Sequence, residues 1–275
     1  MQSAIWRLIK TQPASGPWNM AVDEALLEMM GHTDAQPVFR LYAWNPPCLS
    51  LGYAQPIADI NLDQLSDLNW DIVRRPTGGR AILHVDELTY AVIGPHSEPR
   101  LAGGVLESYR RLSGALTVAL RRIGLPAQAL PHPKRDSSAF SDQEPICFEQ
   151  PSNYEITVYG KKLIGNAQAR KKTGVLQHGT LPLHGDLTRI TQVLNFGSQE
   201  LRATAAQRLL ARATTVEHIL GQTITWDIAA DAFTSSFAEI LNLKLYPSKL
   251  TSEELARAEV LVKEKYALPH WTKRI

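Results

Sequence analysis

The sequence predicts a mixed α/β (α+β) fold, in which a mixed β-sheet is flanked by helices. Apolar residues recur at helical spacing in segments 18–29 and 105–123, which predicts two amphipathic helices. Short runs rich in β-branched and aromatic residues lie between and after them, separated by glycine and proline turns, and this pattern is typical of strands. Both periods in one chain favour a sheet covered by helices.

The first half of the chain supplies most of the predicted sheet. A helix opens at Ser15-Gly16-Pro17, where the missing N–H of proline removes no helical hydrogen bond, and it stops at Gly31. A short helix is predicted at 61–68. The predicted strands, which we expect to form one sheet, are 38–42, 49–53, 71–75, 80–84 and 88–93.

The second half begins with the longest irregular segment, 126–145, whose length is typical of a lid or binding loop. Three strands are predicted after it, at 154–158, 162–170 and 175–183, with Gly160 in the first hairpin turn. Beyond Asp186 the chain is expected to be mainly helical. Thr251, with Glu254 three residues later, predicts a capping box for a last helix that ends near Tyr266.

Composition limits the possible functions. The 275 residues carry a net charge of +2, with 20% charged and 44% hydrophobic residues, which is ordinary for a soluble globular protein. A nucleic-acid partner is not expected, because it would need a concentrated basic face. No apolar run approaches a membrane span and residues 1–10 lack a signal core, so we expect a cytoplasmic monomer without a membrane partner. The eight histidines show no metal-ligand spacing, and no metal is expected.

Cys147 and Cys48 are the two cysteines, and both are expected to be thiols. Cys147 has apolar neighbours, and a buried packing role is the commoner fate of such a residue. The long segment before it and Lys161 and Lys162 one strand away favour a reactive thiol instead, because a nearby ammonium stabilises a thiolate. Cys48 lies beside prolines without a charged neighbour in sequence, which indicates core packing.

Several other residues have two interpretations. Lys162 follows a hairpin glycine and is either a solvated turn residue or part of a groove, since Gly165, Asn166 and Ala167 leave room beside its strand. Gly78-Gly79 is a turn or a binding loop. Arg74, Arg75 and Arg80 flank this turn, and such a cluster suits either solvent or an acidic or phosphorylated partner. His84 and His178 are predicted to form hydrogen bonds.

Three motifs resemble the lipoate–protein ligase and octanoyltransferase superfamily: RRPTGGR at 74–80 with His84 after it, GKKLIGNAQ at 160–168 and QHGTL at 177–181. The helix at 19–25 and the segment 45–52 extend the resemblance over nearly the whole chain. It implies a biotin/lipoate protein ligase-like catalytic domain, which we assign to residues 1–248. Residues 249–275 are expected to form a helical tail packed on that domain.

Within this superfamily, CFEQPSNYE at 147–155 is similar to the LipM type of octanoyltransferase. The resemblance implies that Cys147 carries the acyl group as a thioester and that Lys162 lowers the pKa of its thiol. We assign substrate binding to a further set of residues: Arg75, Gly78, Gly79, Arg80, His84, Gly165, Asn166, Ala167, His178 and Gly179. The acyl groove is expected between the 165–167 strand and the Gly78-Gly79 turn, and the arginine cluster is expected to dock the donor.

The implied reaction moves octanoyl from the phosphopantetheine arm of an acyl carrier protein to a lysine of a lipoyl-domain protein, such as the glycine cleavage H protein. No ATP or other cofactor is expected. Another octanoyltransferase branch has its cysteine in a loop like 194–197, where this chain has no thiol. An ATP-dependent lipoate–protein ligase remains the first alternative. A non-catalytic module that binds acyl groups or carrier proteins is the second.

Overall fold

The computed structural model describes residues 1–131, 146 and 154–275, so that Cys147 lies outside the described residues. The strands are β1 (Ala4–Lys10), β2 (Val38–Tyr42), β3 (Cys48–Leu51), β4 (Asp71–Arg74), β5 (Ile82–His84), β6 (Glu87–Gly94), β7 (Gln128–Pro131), β8 (Tyr154–Val158), β9 (Lys161–Lys171), β10 (Gly174–Pro182) and β11 (Leu243–Pro247). The α-helices are α1 (Gly16–Met29), α2 (Leu62–Asp67), α3 (Val105–Arg122), α4 (Gln199–Arg212), α5 (Val216–Leu220), α6 (Trp226–Ile240), α7 (Ser252–Leu261) and α8 (Pro269–Thr272). Two 3₁₀ turns (Ile57–Asp59, Leu187–Val193) and a π-turn (Val262–Tyr266) complete the described elements.

The strands form two sheets. The large sheet has eight strands in the order β11-β1-β2-β6-β10-β9-β8-β7, with β1 parallel to both of its neighbours and the remaining pairs antiparallel. The small sheet has the order β4-β3-β5, and its β3 lies parallel to β4 and antiparallel to β5. The predicted mixed sheet flanked by helices is therefore confirmed.

The expectation of one continuous sheet from β3 to β6 was wrong. Between β5 and β6 the chain has only Val85 and Asp86, and Asp86 adopts the left-handed region at φ 54°. The chain changes direction at this residue and passes from the small sheet into the large one. Strands β1, β7 and β11 were not predicted. In β1 the buried Arg7 interrupts the apolar pattern, and β11 is a short edge strand with largely exposed residues.

The large sheet separates two helical layers, because successive residues of its central strands point to opposite faces. Phe39 and Leu41 of β2 pack with α3 and α6, whereas Val38 and Tyr42 pack with α1 and α7. A third apolar cluster lies beneath the small sheet, against α2, α4 and the 187–193 turn. Both faces of β2 are thus buried, as in the interior of a three-layer sandwich.

The residues after β11 contact both sheets. The predicted capping box is confirmed, since Thr251 Oγ1 accepts from the Glu254 N–H at 3.2 Å and the Glu254 carboxylate accepts from the Thr251 N–H at 2.8 Å. The Glu254 carboxylate also forms an ion pair with Arg7 of β1. Arg74 of β4 donates to the carbonyl of Thr272 at 2.8 Å. In the described part of the chain, no helix is both long and apolar enough to cross a membrane.

Candidate active site

A cavity lies where the small sheet, the large sheet and α1 meet. Most residues that the sequence predicted for substrate binding line it, namely Arg75, His84, Gly165, Asn166, Ala167, His178 and Gly179. Other lining residues come from α1, β2, β3 and the neighbouring strands: Met20, Tyr42, Trp44, Ser50, Ile82, Thr89 and Thr180. We call it the site cavity. The structure thus brings together residues that are up to about 160 positions apart in sequence.

His84 is held on three sides. Its Nδ1 lies 2.7 Å from Glu87 Oε1, its Nε2 lies 2.7 Å from Ser50 Oγ, and its ring stacks on Trp44 with centroids 4.0 Å apart. A carboxylate only accepts hydrogen bonds, so the Nδ1–H of His84 donates to Glu87, and this turns the Nε2 edge of the ring toward the Ser50 hydroxyl. Glu87 also accepts from Thr89 at 2.5 Å. The hydroxyl of Ser50 is thereby aligned with a base that is itself oriented by a carboxylate.

His178 belongs to a second series of hydrogen-bonded side chains, in which it lies between Thr77 and Asp23, as His84 lies between Ser50 and Glu87. We call these two series the histidine chains. Its Nε2 lies 2.7 Å from Thr77 Oγ1, and its Nδ1 lies 3.4 Å from Asp23 Oδ2. Asp23 is fully buried and also accepts from Arg40 at 2.7 Å and from the Tyr42 hydroxyl at 2.9 Å. The sequence pattern assigned no role to Asp23, which lies 155 positions from His178, or to Glu87, although Glu87 lies only three positions from His84.

In this second histidine chain, the pKa values of Asp23 and of His178 both lie below their usual ranges. Burial raises the pKa of Asp23, but the charge of Arg40 and the hydrogen bond from His178 outweigh it, so that the pKa lies below its usual range. Burial lowers the pKa of His178, and the hydrogen bond with Asp23 offsets this only in part. An anionic Asp23 beside a neutral His178 is therefore the state that the fold favours.

Asn166 lies across from Gly179 on the paired strands β9 and β10. Its Oδ1 accepts from the Tyr90 hydroxyl at 2.6 Å, and burial raises the pKa of Tyr90, which keeps it a donor. A Cβ at position 179 would lie 2.2 Å from Asn166 Oδ1 and 2.7 Å from the Tyr90 ring, so only glycine leaves this hydrogen bond intact. Sequence reasoning missed Tyr90.

Lys162 is buried at 4% exposure, and its Nζ lies 3.1 Å from Glu155 Oε1. The interpretation as a solvated turn residue is therefore wrong. Its predicted partner, Cys147, lies outside the described residues. The preceding residue, Ile146, is buried and pairs with Ala81, whose next residue, Ile82, lines the site cavity.

The turn at 76–80 lies beside an open groove and not in the site cavity. Gly78, Gly79 and Arg80 line this groove together with Tyr53 and Lys171. Gly79 has φ 94° and packs so tightly that a Cβ on Gly52 would lie 1.7 Å from its carbonyl oxygen. The Arg274 guanidinium lies 3.8 Å from the Tyr53 ring centre; its hydrogen bond and charge, followed by the charge of Lys171, lower the pKa of Tyr53. We call this the basic groove.

The expected docking role of Arg74 and Arg75 is not compatible with their position, because both are buried. Arg75 donates to Ser50 Oγ at 3.0 Å and to the carbonyls of Gly78 and Arg80 at 3.0 and 2.7 Å. Guanidinium groups provide several donors in a fixed fork, which suits a turn with converging carbonyls. Arg75 thus shapes both the turn and the site cavity, and Arg80 is the member of the trio that lines the basic groove.

Cys48 is fully buried, and burial raises the pKa of its thiol, with a further contribution from the charges of Asp71 and Glu87. This agrees with the predicted packing role. Within residues 1–131, 146 and 154–275, no cluster of histidine, cysteine or carboxylate side chains could hold a metal ion.

The chain matches one protein-family model and several relatives over nearly its full length. Residues 15–238 match the family model of the lipoyl protein ligase A/B catalytic domain. The octanoyltransferase LipM of Brevibacillus brevis is 38% identical over 98% of this chain and 99% of its own. That of Bacillus subtilis is 37% identical over the same shares of the two chains, 98% and 99%.

Solved structures with this fold include a bipartite lipoate protein ligase from Thermoplasma acidophilum, with a TM-score of 0.82 and 22% identity, covering 98% of this chain and 96% of that one. A lipoate-protein ligase A bound with ATP has a TM-score of 0.79 and 23% identity, covering 98% of each chain. At these identities the likeness shows the fold alone.

The hydrogen bonds that join Thr77, His178 and Asp23 predict that the free energy of unfolding falls in mild acid. Unfolded histidine takes a proton near pH 6.5, whereas folded His178 resists protonation, so the unfolded state binds more protons and stability falls as pH drops below that value. Asp23 adds a further loss below about pH 4 by the same sign. Urea unfolding at pH 7.5 and 5 should show a fall that is about 1 kcal/mol smaller in His178→Gln than in the parent. The exposed His270→Gln is the control, and equal falls in the parent and the His178 variant would contradict the assignment.

Proposed function

This chain belongs to the family of lipoyl protein ligase A/B catalytic domains, and we propose that it transfers octanoyl from an acyl carrier protein to a lysine of a lipoyl-domain protein. It is an acyltransferase of the octanoyltransferase branch. The observation that carries the proposal is full-length similarity to octanoyltransferases, at 38% identity over 98% of the chain. The glycine cleavage H protein is the acceptor that we propose first.

The proposed chemistry has two steps on Cys147. In the first, the thiolate attacks the octanoyl thioester carbonyl, a new thioester forms, and the phosphopantetheine of the carrier leaves as a thiolate that takes up a proton. In the second, the acceptor lysine, as the free amine, attacks that thioester, an amide forms, Cys147 leaves as the thiolate, and the proton lost by the amine passes to solvent. Splitting the transfer lets donor and acceptor dock in turn. Thioester exchange is nearly balanced and amide formation is downhill, so we propose that neither ATP nor another cofactor takes part.

The site cavity is the proposed place for the acyl chain. Met20, Ile82 and Ala167 give it apolar walls, and apolar burial favours a hydrocarbon chain. Asn166 is suited to the thioester carbonyl. Its Oδ1 is engaged by Tyr90, and no described residue accepts from its Nδ2, which leaves that group to donate to the oxygen where negative charge develops.

The proposed role of Lys162 is to stabilise the Cys147 thiolate. A buried ammonium acts through a low-dielectric medium, which strengthens its effect on a neighbouring thiol. Glu155 fixes the position of Nζ and at the same time opposes its field. The balance between these two charges sets how far the thiol pKa can fall.

The basic groove is the proposed docking site for the carrier, in place of Arg74 and Arg75. Arg80 and Lys171 line it and Arg274 lies at its edge, while the phosphopantetheine arm carries a phosphodiester. Charge complementarity of this kind guides association between exposed surfaces. Cytoplasmic location and a monomeric state remain predictions.

An ATP-dependent lipoate–protein ligase stays the second candidate, because the family model that residues 15–238 match is that of the lipoyl protein ligase A/B catalytic domain. The two candidates differ in whether ATP is required.

The first test is acylation without nucleotide. Intact-mass measurement after mixing the protein with octanoyl-carrier protein should show one octanoyl adduct, which peptide mapping places on Cys147. Cys147→Ser should form no adduct, whereas Cys48→Ala should form it, because the buried Cys48 thiol is held away from solvent. Formation of an adduct only with ATP and free octanoate would support the ligase instead.

The second test concerns the lysine. At pH 7, Lys162→Ala should slow alkylation of Cys147 by iodoacetamide about tenfold, since loss of a nearby cation raises a thiol pKa by a unit or more. Lys161→Ala is the matched control, because Lys161 Nζ donates to the carbonyl of Leu210. An alkylation rate that is unchanged in the Lys162 variant, with transfer lost, would mean that the lysine acts on the substrate and not on the thiol.

The third test concerns docking. Lys171→Ala should raise the KM for octanoyl-carrier protein about two- to fivefold and make it less sensitive to salt, as for an exposed ion pair. Octanoyl-pantetheine, which lacks the phosphate, should show no such change. Lys172→Ala provides the control, because Lys172 is exposed but does not line the groove. Identical salt dependence in the parent and the Lys171 variant would remove the basic groove from the docking surface.

A further inference from the structure

A second cavity lies behind the small sheet. It is enclosed by β5, the 187–193 turn and α4, and its apolar lining includes Leu83, Ile146, Leu187, Ile190 and Leu209. The residues of its lining take no part in the two histidine chains, apart from Glu87. We call it the rear cavity. Eight of its twelve lining residues are apolar and the others are Glu87, His184, Asp186 and Arg189, so it is a mainly apolar pocket that the proposed reaction leaves without a role.

Ile82 is the one residue that lines both the site cavity and the rear cavity in the described part of the chain. It begins β5 and pairs with Ser50 of β3, so its backbone position is fixed. By strand alternation Ile82 and His84 share one side of β5 and Leu83 takes the other. The Ile82 side chain is 8% exposed and packs in one apolar cluster with Ile190 and Leu209. It therefore stands as a partition between the two cavities.

We propose that Ile82 determines acyl chain length by closing the site cavity toward the rear cavity. The inference rests on the proposed function, in which the acyl chain occupies the site cavity. With isoleucine at this position, methylenes beyond the end of the site cavity have no apolar space to enter. A smaller side chain joins the two cavities, and the rear cavity then accepts the additional methylenes.

The size of the effect follows from apolar burial. Each methylene that leaves water contributes about 0.8 kcal/mol, or about fourfold in a rate or binding ratio. Decanoyl exceeds octanoyl by two methylenes, so full burial of both corresponds to about fourteenfold. Removal of a buried isoleucine side chain also lowers stability, so each variant needs a thermal unfolding check.

The experiment compares kcat/KM for the acylation of Cys147 by octanoyl- and decanoyl-carrier protein. In Ile82→Ala, the ratio of decanoyl to octanoyl should rise about fourteenfold over the parent ratio, and in Ile82→Val it should rise less. An unchanged ratio in a folded Ile82→Ala that still accepts octanoyl overturns the proposal. Failure of the parent to accept any acyl group would instead refute the proposed function.

A filled rear cavity supplies the matched control. Leu209→Phe places bulk in the rear cavity only, so it should leave octanoyl transfer and the parent ratio as they are. Combined with Ile82→Ala, it should return the decanoyl ratio toward the parent value. Loss of octanoyl transfer in a folded Leu209→Phe would mean that the chain already occupies the rear cavity, which overturns the partition. Ile190→Phe, which also adds bulk to the rear cavity, is the second variant should Leu209→Phe fail to fold.

Discussion

The buried carboxylate of Asp23 joins the parts of the molecule on which the site depends. It lies on α1, accepts from Arg40 and Tyr42 of β2, and meets His178 of β10, which in turn reaches Thr77 in the glycine turn. A buried charge is tolerated only when it is paired and hydrogen-bonded, and Asp23 is both. Helix, central sheet and turn are thus fixed relative to one another through one side chain. Removing Arg40 alone would leave that charge uncompensated, which is far more damaging than losing a surface ion pair.

The two histidine chains have the same arrangement of a carboxylate, an imidazole and a hydroxyl. In each, a carboxylate orients an imidazole and the imidazole contacts a hydroxyl, and both imidazoles line the site cavity. A neutral His178 adds no positive charge to the cavity, which suits an uncharged acyl chain. Arg75 lines the cavity, and its donors are turned toward Ser50 and the carbonyls of the turn. The Arg75 guanidinium is therefore engaged in hydrogen bonds within the protein, and the surface left for a substrate is mainly apolar.

Sequence reasoning predicted the elements whose signals are local. Helices α1 and α3 and the β9–β10 hairpin followed from periodicity, a proline and glycine turns, and the capping box at Thr251 followed from two residues three positions apart. It failed where a distant segment decides the outcome. Arg74 and Arg75 turned inward because carbonyls of Gly52, Ser50 and Thr272 converge on them only in the folded chain. Asp23 and Tyr90 were given no role for the same reason, since their partners His178 and Asn166 lie far away in sequence, whereas Glu87 lies only three positions from His84.

The order of the large sheet also constrains how the chain can be made. Strand β1 is the earliest strand to leave the ribosome, yet one of its two partners is β11, with Ala4 opposite Leu243. Until β11 has emerged, β1 offers an unpaired edge, and such edges invite pairing with other chains. The ion pair between Arg7 and Glu254 can form only after residue 254 has been made, so the Arg7 guanidinium lacks this partner until then. A nascent chain that has not yet reached β11 is therefore the form in which this strand edge is most open to aggregation.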